Sequence, residues 1–429
     1  MKLKLLLYAI LISVLFTACE KKEILPGKRE LIPGIAADNS RDVLTPNLAK
    51  VALTRPSSIA SSLYIAGNKE HNSINYKMNP NAKVLWKTSF GVGPISSDII
   101  AFDDNIYVID AHGTLFCVSQ KDGQKIWKKS IAPQPRDGVF SGGLTANDST
   151  IYVSTNTGNV IAIDSKTQEM LWTKSLKYPI RGAPLYIDEK LIITSIENQT
   201  FAVDAKTGDI LWTKTANKEQ TVMAEAGTPG VFGDSVICAY SSGDIFSLGL
   251  QDGNDNWNDV LLSSNVNESG VVISHIAASP VVYGDSVLAA TSESKMSLLD
   301  AASGIRIWEQ DIGTLTPPVI NGGVIFVLSD NSVFCMSLEN GSINWKCELS
   351  AVYNRKDVKP SSLNWRGPLI INSDIIVFSD AGDLIRIDAS TGKLKKHDLI
   401  KDAAITRTPL VVNEKMFAVT SRAEIYAFG

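Results

Sequence analysis

Short segments of alternating apolar and polar residues recur from about residue 83 to the end of the chain. In one unit, "STIYVSTNTG" and "NVIAID" alternate, and "QEMLWTKS" follows after a turn. These segments are rich in Val, Ile, Tyr and Trp and are bounded by Gly, Asn and Asp, as β-strands are. An apolar run such as "APLYIDEK" supplies one more strand for each unit. We therefore predict repeating units of four strands, named A to D in chain order.

A turn followed by a tryptophan sets the length of the repeat. The stretch "DAKTGDILW" from Asp204 returns as "DSKTQEMLW" from Asp164 and as "DAASGIRIW" from Asp300. Repeats of about 40 to 50 residues built from short strands are typical of β-propeller blades, whereas helical solenoids would show a 3.6-residue period. The tryptophans that mark the repeat are Trp86, Trp127, Trp172, Trp212, Trp257, Trp308 and Trp345.

The turn and the tryptophan have separate structural roles. Asp and Thr side chains can satisfy backbone groups in a tight turn, and Gly supplies a positive φ, so D-x-x-T-G is expected to close the hairpin between strands C and D. The tryptophan then falls at a fixed place on strand D, where its large surface can pack against a neighbouring blade. We predict that these tryptophans are packing residues and not catalytic ones.

The two ends of the repeat region complement each other. The chain ends on "TPLVVNEKMFAVTSRAEIYAFG", which reads as three strands, and "AKVLWKTSF" around Trp86 reads as an isolated fourth strand. A further unit, "GDLIRIDASTGKLKK", keeps the turn but has Lys396 in the place of the tryptophan. Pairing the ends removes exposed sheet edges. We therefore predict an all-β fold over residues 83–429: an eight-bladed β-propeller of four-stranded antiparallel blades, closed by pairing an N-terminal strand with three C-terminal strands.

The first residues have the pattern of an export signal. Lys2 and Lys4 precede an apolar run, Leu5–Phe16, that is shorter than the roughly 20 residues needed to span a bilayer as a helix. The following "LFTAC" resembles the lipobox of bacterial lipoproteins, which implies cleavage after residue 18 and acylation of Cys19. The alternative is an ordinary cleavage site with a chance cysteine. We predict a signal peptide over 1–18 and a lipidated tether over 19–82.

Composition and charge limit the chemistry of the protein. The formal net charge is -4, which argues against a nucleic-acid-binding surface. The four histidines are scattered, and no cysteine pair has zinc spacing. We expect no metal or cofactor, and buried free thiols at the remaining cysteines, although a bridge between the last two stays open. These cysteines are Cys117, Cys238, Cys335 and Cys347.

The repeat "A-x-D-x-x-T-G-x-x-x-W" resembles the pyrroloquinoline-quinone (PQQ) type of propeller repeat. Together with the lipobox and the count of eight blades, it resembles the scaffold-lipoprotein family of the bacterial β-barrel assembly machinery. That resemblance implies a non-enzymatic monomer within a hetero-complex, held at the outer membrane by its lipid and facing the periplasm. It also implies binding to the POTRA domains of the barrel-forming subunit, and a role in the folding and insertion of outer membrane proteins.

In that family the contact residues lie in two neighbouring loops between blades. Matching those loops by the prolines that precede the next A strands, Pro229 and Pro280, places the contacts at Thr221, Val222, Met223 and Glu225 in the first loop, and at Ser274, His275 and Ile276 in the second. The sequence departs from the family here. The family's arginine falls on Ala224, and the acidic positions of its second loop fall on Val271, His275 and Ala277.

The strand topology indicates the same side of the molecule as a binding surface, independently of the resemblance to the family. Adjacent antiparallel strands reverse direction, so the D–A and B–C connections share one face of a propeller. The long connections, 214–228, 259–279 and 347–367, are all of the D–A type, and connections beyond about 12–15 residues are usually functional or disordered. We predict a partner surface on this face. The alternative is tolerated surface insertions.

Two other functions remain open at the level of sequence. PQQ-dependent dehydrogenases share the repeat, and by resemblance they hold calcium and the quinone in the central channel, often beside a disulfide between adjacent cysteines. No two cysteines are adjacent in this chain. A scaffold lipoprotein of another envelope complex would show much the same sequence.

Overall fold

The computed structural model describes residues 51–95, 97–131, 142–180, 182–219, 227–263, 274–353, 359, 362–400 and 403–429. The predicted signal peptide and Cys19 lie outside these residues. Within them the chain forms eight antiparallel sheets arranged as propeller blades, which confirms the predicted fold. No helix in the described ranges is long and apolar enough to cross a membrane.

Blades 1 to 4 follow one another along the chain, each with strands in the order A, B, C, D. Blade 1 contains β3 (Ile100–Phe102), β4 (Asn105–Ile109), β5 (Thr114–Ser119) and β6 (Lys125–Ser130). Blade 2 contains β7 (Gly142–Ala146), β8 (Thr150–Thr155), β9 (Asn159–Asp164) and β10 (Met170–Ser175). Blade 3 contains β11 (Leu185–Ile187), β12 (Lys190–Thr194), β13 (Gln199–Asp204) and β14 (Ile210–Thr215). Blade 4 contains β15 (Gly230–Phe232), β16 (Ser235–Ala239), β17 (Asp244–Gly249) and β18 (Asp255–Val260).

Blades 5 to 7 continue the pattern, and blade 7 gains a fifth, parallel strand from the N-terminal region, β1 (Asn75–Tyr76). Blade 5 contains β19 (Val281–Tyr283), β20 (Ser286–Ala290), β21 (Met296–Asp300) and β22 (Arg306–Gln310). Blade 6 contains β23 (Val319–Asn321), β24 (Val324–Ser329), β25 (Ser332–Ser337) and β26 (Ile343–Glu348). Blade 7 contains β27 (Trp365–Ile371), β28 (Asp374–Ser379), β29 (Asp383–Asp388) and β30 (Leu394–Leu399).

Blade 8 closes the ring by joining the two ends of the repeat region. Its A, B and C strands are β31 (Leu410–Val412), β32 (Lys415–Val419) and β33 (Glu424–Phe428), and its D strand is β2 (Val84–Ser89). The predicted pairing of one N-terminal strand with three C-terminal strands is therefore confirmed, with Val84 opposite Phe428. Two short helices complete the described elements, a 3-10 turn at Ile65–Gly67 and an α-helix at Leu349–Val352.

The core lies between the blades. Strands A, B and C are almost entirely buried, whereas strand D alternates exposed and half-buried positions, as in β10. Strand A is therefore innermost and strand D forms the outer rim. The apolar clusters each join neighbouring blades, for example Phe326 of blade 6 with Ile375 and Val377 of blade 7. The ring is held by packing between sheets and not by a core within each sheet.

The repeated tryptophan packs onto the turn of the next blade, which explains why the two recur together. The ring of Trp172 lies over Gly208, where an added Cβ would come within 2.8 Å of the ring. The indole Nε1 of Trp172 donates a hydrogen bond to the carbonyl of Ala205 at 3.0 Å. The same indole-to-carbonyl bond is made by Trp86, Trp212, Trp257, Trp308 and Trp345.

Local backbone geometry positions both the glycine turn and the tryptophan for this contact. In the turn of blade 3, Asp204 Oδ1 accepts hydrogen bonds from the backbone amides of Lys206 and Thr207, and Gly208 has a φ of +79°. On strand D a register shift precedes the tryptophan, as between Met170 and Trp172. Such a bulge re-aims the side chains that follow it. The predicted turn chemistry and the predicted packing role of the tryptophans are both confirmed.

The N-terminal residues 51–78, which we call the axial segment, lie across the inner A strands. They hydrogen-bond to blades 1, 2, 3, 5, 6, 7 and 8 through the residues Ala101, Thr145, Tyr186, Val282, Asn321, Asn372 and Asn413. The sequence placed this stretch in the tether, because it has no period. The structure shows that the described part of that tether packs against the propeller. It lies at the end of the ring that carries the A–B turns.

His71 is the most deeply buried titratable side chain of the axial segment. It is fully buried, its Nδ1 lies 3.2 Å from the carbonyl oxygen of Pro280, and its backbone φ is +55°. Burial lowers the pKa of His71 from its ordinary value to about 4. The imidazole is therefore neutral in the folded protein at neutral pH.

We predict that replacing Gln168 by glycine stabilises the protein. Gln168 occupies the glycine position of the blade 2 turn with a φ of +64°. A non-glycine residue held there costs on the order of 1–3 kcal/mol, partly offset by the greater freedom of an unfolded glycine. Gln168→Gly should raise the free energy of unfolding by about 1 kcal/mol in urea titrations. The matched variant is Gly208→Gln, which should lower it. A fall in stability for Gln168→Gly would contradict this account.

We also predict a pH dependence of stability that comes from His71. Its folded pKa is below the unfolded one, so between about pH 6.5 and pH 4 the unfolded chain binds a proton that the folded chain does not. This contribution is complete above pH 6.5, and lowering the pH from 7.5 to 5 should remove about 2 kcal/mol of it. His71→Asn, which keeps a residue that tolerates positive φ, should give a flatter curve. Parallel curves for the two proteins would contradict the prediction.

Candidate functional site

The ring has two distinct faces. The A–B and C–D turns lie on one, which we call the turn face, and the B–C turns and D–A connections lie on the other, which we call the loop face. The axial segment approaches the turn face, since Ala52 packs against Gly322 in an A–B turn and Ile59 bonds to Asn413 in another. The loop face is thus opposite the face from which the described chain enters the propeller.

The long connections observed on the loop face are those that the sequence predicts. They separate β14 from β15, β18 from β19, and β26 from β27. Strand ends differ from the predicted limits by one or two residues, except that β27 begins at Trp365. Two of the connections are consecutive in the ring, on either side of blade 4. The first candidate loop, with Thr221, Val222, Met223 and Glu225, lies outside the described residues.

The end of the second candidate loop is tied to the body of the propeller. The backbone amide of Ser263 donates to Ser274 Oγ at 3.0 Å, which joins the two described ends of this connection. Ser274 also packs on Gly243, in the B–C turn of blade 4. The amide of Ile276 donates to the carbonyl of Tyr240 at 3.2 Å. This fixes where the loop leaves the ring and where it returns.

Burial divides the candidate residues of the second loop. His275 is 4% exposed and Ile276 is 1% exposed, whereas Ser274 is half-buried. The carbonyl of His275 accepts a hydrogen bond from the amide of Ser292 at 2.7 Å, in the B–C turn of blade 5. His275 and Ile276 therefore anchor the end of the loop to the B–C turns, and their side chains are not part of the accessible surface.

Exposed apolar side chains next to these loops were missed by the sequence analysis. Leu262, directly after strand D of blade 4, is 62% exposed, and Leu315, in the connection between blades 5 and 6, is 40% exposed. Lys218 of the first loop pairs with Glu197 of a B–C turn at 3.4 Å, so charged groups border the same area. The signal in the sequence was the run "VLLSS", in which the apolar pattern continues past the end of the strand.

The inner end of the ring leaves little room for a cofactor. The cavity between the axial segment and the A strands of blades 1, 6, 7 and 8 is about 50 Å³, lined by residues that include Tyr64, Tyr76 and Leu410. A water molecule takes about 30 Å³, and pockets for small-molecule ligands are usually about 300–1,000 Å³. This cavity beside the axial segment is too small for a quinone with its calcium.

The described cysteines and histidines do not assemble a reactive centre. Cys117, Cys238, Cys335 and Cys347 are buried free thiols, as expected, and burial raises the pKa of each, to about 11 for Cys117 and Cys347 and to about 12 for Cys238 and Cys335. Cys347 lies opposite Val333 on the neighbouring strand, and Cys335 opposite Trp345, so the two thiols are not bridged. The described residues contain no cluster of three or more side chains able to hold a metal ion.

One buried network in blade 7 resembles a catalytic triad by composition only. Asp383 is fully buried and accepts hydrogen bonds from Ser379 and Tyr353, and His397 Nε2 lies 2.9 Å from its Oδ1. In a triad the histidine would lie between the serine and the aspartate. Here the aspartate lies between them, so the geometry is not that of a triad.

Comparison with known proteins agrees with this geometry. The sequence model of the family described as "Outer membrane protein assembly factor BamB" matches residues 111–347, more than half of the chain. The chain belongs to this family. The resemblance in the repeat and its turns is thereby confirmed.

Two of the curated relatives carry the same name at modest identity. BamB of Moranella endobia (strain PCIT) is 26% identical over 179 residues, which are 40% of this chain and 43% of that protein. BamB of Salmonella typhimurium (strain LT2) is 21% identical over 407 residues, which are 90% of this chain and 98% of that protein. The alignment therefore spans less than half of the first relative and nearly all of the second.

Solved structures that share this fold belong to proteins of two functional classes. BamB from Moraxella catarrhalis superposes with a TM-score of 0.69 at 17% identity, covering 81% of this chain and 99% of that one. The quinohemoprotein alcohol dehydrogenase ADHIIG from Pseudomonas putida HK5 superposes with a TM-score of 0.66 at 11% identity, covering 87% and 80%. The fold alone does not separate scaffold from enzyme, and the family match is to the assembly factor.

We predict that the protein does not take up the quinone cofactor. Titration with PQQ and calcium chloride, followed by absorbance and calorimetry, should show no saturable binding up to roughly 100 μM cofactor, because the axial segment occupies the space. Dye-linked alcohol oxidation should stay at background. An apo-dehydrogenase reconstituted in parallel is the positive control. Saturable 1:1 binding would contradict the prediction.

Proposed function

We propose that this protein is a non-enzymatic scaffold lipoprotein of the outer-membrane β-barrel assembly machinery. In this proposal it is anchored to the outer membrane through lipidated Cys19, faces the periplasm and binds the POTRA domains of the barrel-forming subunit. It would thereby aid the folding and insertion of outer membrane proteins. Membership of the assembly-factor family supports the general role.

The observation that carries the proposal is the concentration of long connections on the loop face. Two of these connections flank blade 4 in the sequence. The exposed side chain of Leu262 lies in one of them, and that of Leu315 lies in the connection between blades 5 and 6. An exposed apolar group with a charged border is the usual composition of a protein interface. The face is also opposite the axial segment, so a partner there does not compete with the chain's own entry into the ring.

Within this surface the candidate residues have different proposed roles. Thr221, Val222, Met223 and Glu225 are proposed as contacts in the first loop. In the second, Ser274, His275 and Ile276 are proposed to act by holding the loop in place, since two of the three are buried. Leu262 is proposed as an additional direct contact, because most of its side chain is accessible.

We predict that Leu262→Glu and Leu315→Glu each weaken capture of a purified POTRA fragment of the organism's barrel-forming subunit. A charge placed in the apolar part of an interface should raise the Kd by about tenfold or more, measured by biolayer interferometry. Both positions are exposed, so the melting temperature should be unchanged.

The matched control is Ile305→Glu. Ile305 is 69% exposed and lies on the turn face, directly after Gly304 of a C–D turn. The substitution makes the same chemical change on the opposite side of the ring, so it should leave capture of the POTRA fragment unchanged. The proposed interface is wrong if both loop-face variants bind as well as the wild type, or if the control is affected equally.

A further inference from the structure

The contact between blades 7 and 8 lacks both halves of the tryptophan-to-turn packing. Lys396 of blade 7 pairs with Arg386, in the register in which Trp172 pairs with Ala162 in blade 2, and the same register shift is present. Strand D of blade 7 therefore carries a lysine where other blades place an indole.

Blade 8 in turn has no hairpin to receive an indole. Its C strand ends at Phe428 and its D strand begins at Val84, from the other end of the chain. In place of a glycine turn, Lys83 and Gly429 exchange backbone hydrogen bonds of 3.2 and 3.1 Å. Pairing the chain ends thus closes the ring but leaves this position with neither the indole nor the glycine turn.

An open cavity of about 540 Å³ occupies this position at the outer rim. Its size is within the usual range for ligand pockets. One side is formed by the backbone turn at residues 79–82. The apolar part of its lining includes Ile371, Ile376, Leu384, Met416, Tyr426 and Phe428. The rings of Tyr426 and Phe428 are nearly parallel, at 17°, with centroids 6.4 Å apart, and form an aromatic wall.

The polar part of the lining is predominantly basic. It contains Lys83, Arg386 and Lys396 against a single acid, Asp398, which pairs with Lys396 at 2.9 Å. Nε of Arg386 is buried and meets no hydrogen-bond acceptor within the described part of the chain, while its Nη1 lies 3.7 Å from Asp374. A buried donor without an acceptor is costly, so an acidic or carbonyl oxygen brought to this site would be favoured.

We propose that this cavity binds a tryptophan side chain presented by an acidic segment of a partner protein. The fold itself indicates the indole: at the equivalent place between other blades an indole packs across the gap and donates its N–H to the residue that follows strand C. That residue in blade 8 is Gly429. The basic lining indicates the acidic flanks by charge complementarity. The site lies at the rim between blades 7 and 8, so it is separate from the loop face.

The test uses the folded chain with 13C-methyl-labelled methionine and short peptide probes. Met416 is buried, lines the cavity and reports on it directly; its methyl signal is assigned with Met416→Leu. Acetyl-Asp-Trp-Glu-amide should shift this signal saturably, with a Kd on the order of millimolar for so small a ligand. Acetyl-Asp-Ala-Glu-amide and acetyl-Lys-Trp-Lys-amide should shift it at least fivefold less at equal concentration.

Two variants of one residue separate filling of the cavity from loss of charge. Lys396→Trp supplies the indole from the chain itself, so it should raise the melting temperature and abolish the peptide-dependent shift. Lys396→Gln keeps the cavity open and should retain the shift with weaker binding. The proposal is overturned if the acidic tryptophan peptide gives no more shift than the alanine peptide up to about 10 mM, a comparison that needs no variant. It is also overturned if a folded Lys396→Trp protein still responds as the wild type does.

Discussion

The structure depends on the contact between the tryptophan of one blade and the glycine turn of the next. Each four-stranded sheet is too small to bury its own faces, so the ring is stable only if neighbouring sheets pack closely. The indole of Trp345, 4% exposed, covers Gly392 and bonds to the carbonyl of Ala389, and the same arrangement recurs around the ring. At these turns the indole occupies the space that a Cβ would need, which favours glycine. This is why turn and tryptophan recur as a pair.

Closure of the ring conflicts with that repeat at one place. Joining the chain ends in blade 8 replaces a C–D hairpin by two separate strands, so no glycine turn can be present there. Blade 7, which would supply the indole, has Lys396 instead. The two departures occur at the same interface, and together they leave a cavity with an aromatic and basic lining. Closure of the ring has thus produced a cavity at the place where other described interfaces hold an indole.

Most of the fold could be predicted from the sequence because it follows from periodic features. The alternation of apolar and polar residues predicted the strands, and the spacing of the tryptophans predicted the number of blades. The isolated strand around Trp86 predicted how the ring closes. The axial segment could not be predicted. Its contacts, such as the hydrogen bond from the Ile320 amide to Asn72 Oδ1, come from irregular backbone and single polar side chains that have no period. The face and the two loops of the candidate site were predicted together with contact residues, but which side chains are accessible could not be predicted. Burial of His275 and exposure of Leu262 depend on how the loop ends join the ring.

The axial segment fills part of the space along the axis of this propeller. Tyr64, His71 and Tyr76 pack against the A strands and leave a cavity of about 50 Å³ beside them. The segment also joins the blades through a second set of contacts, with hydrogen bonds to seven of the eight blades. A rigid ring whose axis is closed on the turn face has its outer rim and loop face available for partners. This arrangement suits a scaffold, in which the surfaces and not the interior carry the function.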